Sequence, residues 1–202
     1  DRSNLLWVGG RMRGIATAPV EGATFPALFD TGLTGATLVQ GNFIRTLAED
    51  GQGGLWIGST GEGAKRYDPK TDSFQPFVHA MRDAAGITDP KIPVLVYVIL
   101  RDARQRVFAS TDIGLFQLDP DNGNAEWLGP QDPAHRRLSS MTIGRDGAIW
   151  LGSHGAGLSR YDPDSDIWSP LIAPDINTPE ALHQTRYHLL FQDDRGRIWI
   201  GG

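Results

Sequence analysis

The residues with the most chemistry to offer lie in glycine-rich and polar loops. Gly58-Ser59-Thr60-Gly61-Glu62-Gly63 and Gly152-Ser153-His154-Gly155-Ala156-Gly157 have a composition suited to wrapping a phosphate. That chemistry needs a helix N-terminus behind the loop, so that backbone amides converge on the anion. Here a strand-like stretch follows each loop, and the glycines are read as serving tight turns. Asp162, Asp164 and Asp166 have the one-three-five spacing of a calcium loop, but Ile167 and Ala173 stand where such a loop needs Gly and Glu. A hairpin turn is the better reading. Histidines at 79, 135, 154, 183 and 188 form no His-Glu-x-x-His pattern, and no Gly-x-Ser-x-Gly elbow accompanies them. The absence of cysteine removes thiol nucleophiles, zinc–thiolate sites and disulfide scaffolds.

What positions these loops is an internal repeat. Trp-Ile-Gly or a close relative recurs at Trp7-Val8-Gly9, Trp56-Ile57-Gly58, Trp150-Leu151-Gly152 and Trp199-Ile200-Gly201. Val107-Phe108-Ala109-Ser110 fills the same place once more, and successive aromatics are 49, 52, 42 and 49 residues apart. Tyr67-Asp68-Pro69 and Tyr161-Asp162-Pro163 each begin 11 residues after their tryptophan, with Leu118-Asp119-Pro120 one residue shorter. Asp1, Asp50, Asp102, Asp146 and Asp194 begin the polar turns that lead into each aromatic.

Each unit reads as four strands. In the second, Phe43–Ala48 is the first strand and Leu55–Ser59 the second, apolar on both faces as a strand between layers should be. A third strand ends at Tyr67, Asp68-Pro69-Lys70-Thr71 makes a turn, and Ser73–Phe77 is the fourth. The turn has a mechanism: the Asp side chain bonds the backbone and Pro presets φ. Units of this length and strand number predict an all-β fold of propeller blades of four antiparallel strands. The tryptophans are expected to pack against the neighbouring blade, because one sheet cannot bury both faces alone. A parallel β-helix is the rival, but its rungs are shorter and lack the four-strand rhythm. The blade units fall at 1–42, 43–94, 95–137, 138–185 and 186–202: about four blades plus a partial one. Because the chain starts and stops in the same part of the unit, the expectation is an arc of a larger, seven-bladed ring.

Composition agrees. Of 202 residues 40% are hydrophobic and 21% charged, enough for a sizeable core, and the 25 glycines and 13 prolines are scattered as many short turns require. A net charge of −5 argues against nucleic acid as partner, and no apolar run approaches the roughly 18 residues of a membrane span, so no membrane contact is expected within this segment.

The motif Asp-x-x-Gly-x-Leu-Trp-Ile-Gly-Thr-x-Gly-Gly-Gly-Leu-x-Arg-Tyr-Asp-Pro is that of the two-component regulator propeller family. The chain resembles it at Glu49–Pro69 and Arg145–Pro163, carries its first half at Asp194–Gly202 and a divergent copy at Asp102–Pro120. Ser59 and Ser153 replace the usual Thr, Glu62 and Ala156 interrupt the glycine run, and Phe108 replaces Trp. The resemblance implies a periplasmic or extracellular sensor domain. Such domains sit outside a single transmembrane helix coupled to a histidine kinase or a diguanylate cyclase.

In a propeller, the loop between second and third strands shares one face with the segment entering each first strand. The first class supplies Arg11, Arg13, Glu62, Asp112 and His154. The second supplies Arg82 and Asp83 in the Val78–Val94 connection, then His135, Arg136 and Arg137, then Arg186, Tyr187 and His188. Arg11, Arg13, Glu62, Asp112, His154, Arg186, Tyr187 and His188 are the candidate ligand-binding set, a partly cationic mouth suited to a carboxylate or sugar. The function expected is non-catalytic ligand sensing in a membrane-bound bacterial receptor, without cofactor or metal. Expected partners are a saccharide or peptide-like small molecule, the remaining blades and a second copy of the chain. The alternative is a propeller-type enzyme, a lyase or glycosidase, with its site on the channel face. The visible acidic residues fall mostly in turns on the opposite face, which favours the first reading.

Overall fold

The computed structural model describes residues 5–10, 14–19, 43–133, 136–172 and 187–201. Sixteen strands and one helix form along them. The first sheet seen whole consists of β3 (Ile44–Glu49), β4 (Leu55–Ser59), β5 (Ala64–Asp68) and β6 (Ser73–Pro76), paired in that order and antiparallel throughout. The second repeats the meander with β7 (Val96–Arg101), β8 (Val107–Thr111), β9 (Gly114–Leu118) and β10 (Ala125–Gly129). The third does so with β11 (Leu138–Ile143), β12 (Ile149–Ser153), β13 (Leu158–Asp162) and β14 (Ile167–Ile172). Two hairpins flank them: β1 (Leu5–Gly10) with β2 (Gly14–Pro19), and β15 (Leu189–Gln192) with β16 (Ile198–Gly201).

The first strands of successive sheets lie against one another, β3 on β7, β7 on β11 and β11 on β15, while β1, which carries Trp7 as β4 carries Trp56, packs on β3 as a second strand does on the next sheet. That arrangement places every first strand at the axis and makes the sheets propeller blades. All five residues of β4 and of β8 are buried, because each second strand is sandwiched between sheets. Trp56 is 1% exposed and sits in a cluster with Val96, Ile99, Val107 and Phe116 of the next sheet. Phe108 does the same with Leu138, Met141, Ile149 and Leu151. Burying roughly 150–250 Å² of such a ring stabilises the sheet contact by about 4–6 kcal/mol at about 25 cal/mol per Å².

The glycine of Trp-Ile-Gly has a packing cause. A Cβ on Gly58 would come within 2.6 Å of Val96 Cγ1, and one on Gly152 within 2.8 Å of Tyr187 Cβ. Val96 and Tyr187 hold the same place in the next sheet's approach, so glycine there lets consecutive inner strands close up.

The hairpin turns follow the expected mechanism. Asp68 Oδ1 accepts from Lys70 N–H at 2.8 Å, Asp119 Oδ1 from Asp121 N–H at 2.9 Å and Asp162 Oδ1 from Asp164 N–H at 3.0 Å. Asp164 pairs with Arg104 and Arg106, and Asp166 accepts from the Tyr161 hydroxyl at 2.9 Å. The one-three-five aspartates are therefore engaged by the hairpin itself and by two arginines of the preceding sheet.

The Val78–Val94 connection departs from the loop expected of it. Val78–Ala84 forms a helix, α1, whose Met81 is buried beside Trp56 and Phe77. The apolar residues Phe77, Val78 and Met81 fall at helical spacing, and covering the indole of Trp56 is what fixes them. The Trp56 and Phe77 ring centroids are 5.0 Å apart. Among the described residues no helix is long and apolar enough to cross a membrane.

Candidate functional site

A hollow of about 710 Å³ opens where the first strands meet, lined by Arg45, Thr46, Leu95, Tyr97, Val98, Arg137, Ser139, His154 and His188. Its walls come from four successive blades. In three of them the pairing of first and second strand shifts register just inside the strand, between Ile44 and Thr46, Val96 and Val98, and Leu138 and Ser140. The residue left unpaired by each bulge is Arg45, Tyr97 or Ser139, and all three line the hollow. In the last sheet His188 N–H reaches Gly201 O at 2.9 Å while Leu189 is the register partner of Gly201, so His188 takes the same place. All four residues stand 11 positions before their blade's Trp or Phe.

The loops at this end are held by a second repeated device. Phe43 N–H donates to Thr60 Oγ1 at 3.0 Å, and Leu95 N–H to Asp112 Oδ1 at 2.9 Å. His154 N–H donates to Arg137 O at 2.8 Å. Each loop residue four places after the aromatic thus clips the chain entering the same sheet. The glycine loops turn inward on themselves: Ser59 and Ser153 Oγ accept from Glu62 and Ala156 N–H at 3.2 and 3.0 Å and donate to Gly63 and Gly157 O.

The structure brings together only part of the candidate set. His154 and His188 line the hollow, joined by Arg137. Tyr187 is 1% exposed and packed behind Gly152, with its carbonyl accepting from Ser139 Oγ at 2.7 Å, so it belongs to the sheet contact and not to the mouth surface. Asp112 lies at the rim as a backbone clip. Burial pushes its carboxyl up, outweighing the Leu95 N–H, its own N–H and the Arg137 charge that act in the other direction. Glu62 stands apart, bridged to Val94 and paired with Lys65. Arg82 donates twice to Ile92 O at 3.0 and 2.8 Å, and Asp83 sits beside it on α1. Arg136 donates to Pro130 and Gln131 carbonyls and covers the Trp127 ring at 5.1 Å. Arg11, Arg13, Arg186 and His135 lie outside the described residues.

Arg45, Thr46, Tyr97 and Ser139 were not anticipated. The signal for Arg45, Tyr97 and Ser139 in the sequence is the constant offset from the aromatic, but only the bulge turns that offset toward the axis. Arg45 lies with Cζ 5.2 Å from the centroid of the Tyr97 ring, so two neighbouring bulge residues stack on each other. Among the described residues neither Arg45 nor Arg137 forms an ion pair.

At the opposite end, arginine is handled differently. Asp50 accepts from Gln52 and Gly54 N–H, both at 2.7 Å, and from Arg66 Nε at 2.9 Å. Burial pushes its carboxyl up, and these donors together pull it below the usual carboxylate range. Asp102 holds Arg106 at 2.6 Å, and the Arg160 hydrogen bond lowers Asp146. In the last blade the turn carboxylate is Asp193, not Asp194. Asp193 accepts from Arg195 and Arg197 N–H at 2.9 Å, and the Trp199 indole, also at 2.9 Å, leads the donors that draw it down to about 2. Asp193 lies six residues before Trp199, as Asp50 and Asp102 do before Trp56 and Phe108. Among the described residues Asp194 reaches only Arg145, at 3.4 Å.

Residues 39–61 match the family model described as Two component regulator propeller, as the motif at Glu49–Pro69 leads one to expect. The chain is 31% identical over 115 residues to the photosystem II assembly lipoprotein Ycf48 of Synechocystis sp. (strain ATCC 27184 / PCC 6803 / Kazusa), covering 50% of this chain and 34% of that protein. It thus spans about a third of the curated relative's length. Its fold superposes with TM-score 0.79 and 22% identity on the extracellular domain of the hybrid two component system BT4673 from B. thetaiotaomicron, covering 100% of this chain and 25% of that one. A structure of Ycf48 bound to D1 peptide gives TM-score 0.62 at 16% identity, over 96% of this chain and 55% of that one. These likenesses carry the β-propeller fold.

Proposed function

We propose that this chain is a non-catalytic, ligand-sensing propeller from the periplasmic or extracellular part of a bacterial signal-transduction receptor. The observation that carries the reading is the hollow at the axis, where Arg45, Arg137, His154 and His188 converge from three blades with no carboxylate among its described lining residues. Convergent polar groups in a concave site are the usual form of a small-molecule site. The two component regulator propeller match and the likeness to an extracellular receptor domain support the sensory context. The output is a histidine kinase or a diguanylate cyclase elsewhere in the full-length protein.

The blades form an arc, closed into a ring by further sheets of the same protein. Leu189, Phe191 and Trp199 support this: they are more than half exposed on the last sheet, where Trp56 and Phe108 of earlier sheets are covered by a neighbour.

Thermal unfolding of the full-length protein's propeller against a panel of small saccharides and short peptides tests the function. A ligand present at a hundred times its Kd raises stability by about 2.7 kcal/mol. Recovery of the ligand unchanged is expected; its conversion to product, lost on His154→Ala, would make the protein an enzyme. A panel without any shift would leave a structural or dimerising role.

A further inference from the structure

The hollow has a composition that the repeat does not dictate. Along each first strand, the residue before the bulge is buried and apolar: Val96, Leu138 and Tyr187, with the half-buried Ile44 in the same place. The bulge residue itself varies without restraint, being Arg45, Tyr97, Ser139 and His188 in four consecutive blades. Packing between sheets therefore restricts one position, and the next is left to whatever occupies the axis. A β-bulge is the physical reason, since its extra residue is excluded from the ladder and turned away from the sheet faces.

The cations of the hollow are also held without an ion pair among the described residues, although the Asp112 carboxylate at the rim lies close enough to feel the Arg137 charge. Arg66, Arg106, Arg160 and Arg197 each lie against an aspartate, and Arg82, Arg101 and Arg136 each donate to carbonyl oxygens. Arg45 and Arg137 face the hollow and form no ion pair among the described residues. Arg45 is nevertheless held in place, because its guanidinium lies 5.2 Å over the Tyr97 ring. A guanidinium held over a ring by cation–π attraction still has N–H groups to offer a bidentate acceptor.

Resting on the ligand-sensing reading above, we propose that the bulge positions are the specificity-determining residues of the hollow and that its ligand carries a carboxylate, bound between Arg45 and Arg137. Tyr97 is a positioning residue that orients Arg45, while Ser139 and His188 meet the uncharged part of the ligand. The carboxylate belongs to a sugar acid or to a peptide C-terminus, which present the same planar acceptor.

Isothermal titration of the full-length protein with two matched pairs of probes tests this. One pair is digalacturonate against neutral galactobiose; the other is tetra-alanine against its C-terminal amide. In at least one pair the charged member is expected to bind ten-fold or more tighter, and the pair that responds identifies the source of the carboxylate. Arg45→Gln and Arg137→Gln should each abolish that preference, whereas Arg195→Gln at the far end of the blades should keep it. Tyr97→Ala should weaken the charged probe and Tyr97→Phe restore it, because stacking needs the ring and not the hydroxyl. Equal binding of charged and neutral members, a preference that survives both arginine variants, or no binding in either pair would overturn the assignment. In the first two cases ligand sensing at the axis stands without it, so the two readings fail separately.

Discussion

At the turn end of the sheets Arg66, Arg106, Arg160 and Arg197 each lie against an aspartate, whereas Arg45 and Arg137 face the hollow at the opposite end and form no ion pair among the described residues. The same residue type thus does two jobs on one scaffold. At the turn end the aspartate is fixed first, by backbone N–H groups of its own turn, and the guanidinium then satisfies its remaining oxygen. Those pairs hold hairpins and link neighbouring blades, as when Arg104 of the second blade reaches Asp164 of the third. At the mouth the backbone is clipped by Thr60, by Asp112 and by the His154 amide, and the cations are left over. Where the fold does not need a charge, a ligand can use it.

The largest expected effect lies behind both ends and calibrates them. Trp56→Ala should destabilise by about 3–5 kcal/mol in urea unfolding, because the ring fills the contact between two sheets. Trp199→Ala sharpens this. With its ring 55% exposed, the loss should be about 1 kcal/mol or less in the isolated chain and should rise toward the Trp56 value where a further sheet covers it.

Next comes the turn end. Asp102→Ala should lower stability by about 1–2 kcal/mol, since it strips Arg106 of its nearest carboxylate, and should leave ligand affinity unchanged. If affinity falls as well, the two ends are not independent.

Acid should also separate the two ends. Asp50, Asp146 and Asp193 have carboxyls held below the ordinary value, so the stability they contribute is complete above about pH 4. It is lost as pH falls through the lowered values, to about 2 for Asp193. Unfolding midpoints measured at pH 7, 4 and 3 should be similar for the first two and lower for the third. Arginine does not titrate in this range, so Arg45 and Arg137 contribute nothing to that slope.

The smallest effects are single exposed charges. Arg104→Ala should change stability by less than about 1 kcal/mol, because its pair with Asp164 is largely solvated. Arg45→Gln should stay within about 0.5 kcal/mol in the absence of ligand. A larger loss for Arg45 would make it a structural residue and erase the contrast between the ends.

Much of the fold was legible. The predicted strands of the second unit differ from β3, β4 and β6 by at most a residue at either end, because alternation, the Asp-Pro turn and the glycine loops are local signals. The helix over Val78–Ala84 was missed, since seven residues without a capping side chain give little local signal against the tertiary need to cover Trp56. Asp194 was preferred to Asp193 because adjacent identical residues leave the register open until the turn's hydrogen bonds are seen. For the candidate site, His154 and His188, chosen from loop position alone, line the hollow. Arg45, Tyr97 and Ser139 were hidden in strands whose alternation says nothing of a bulge.

By itself, then, the sequence determined the repeated blade: its four strands, its turns and the aromatic that seals it to the next. Those features rest on neighbours within some 40–50 residues and on turn chemistry that each unit carries complete. Only the tertiary structure decided which side chains share the axis. The hollow joins single residues from four repeats, and a bulge in each inner strand sets whether the residue points into a sheet or into the space between them.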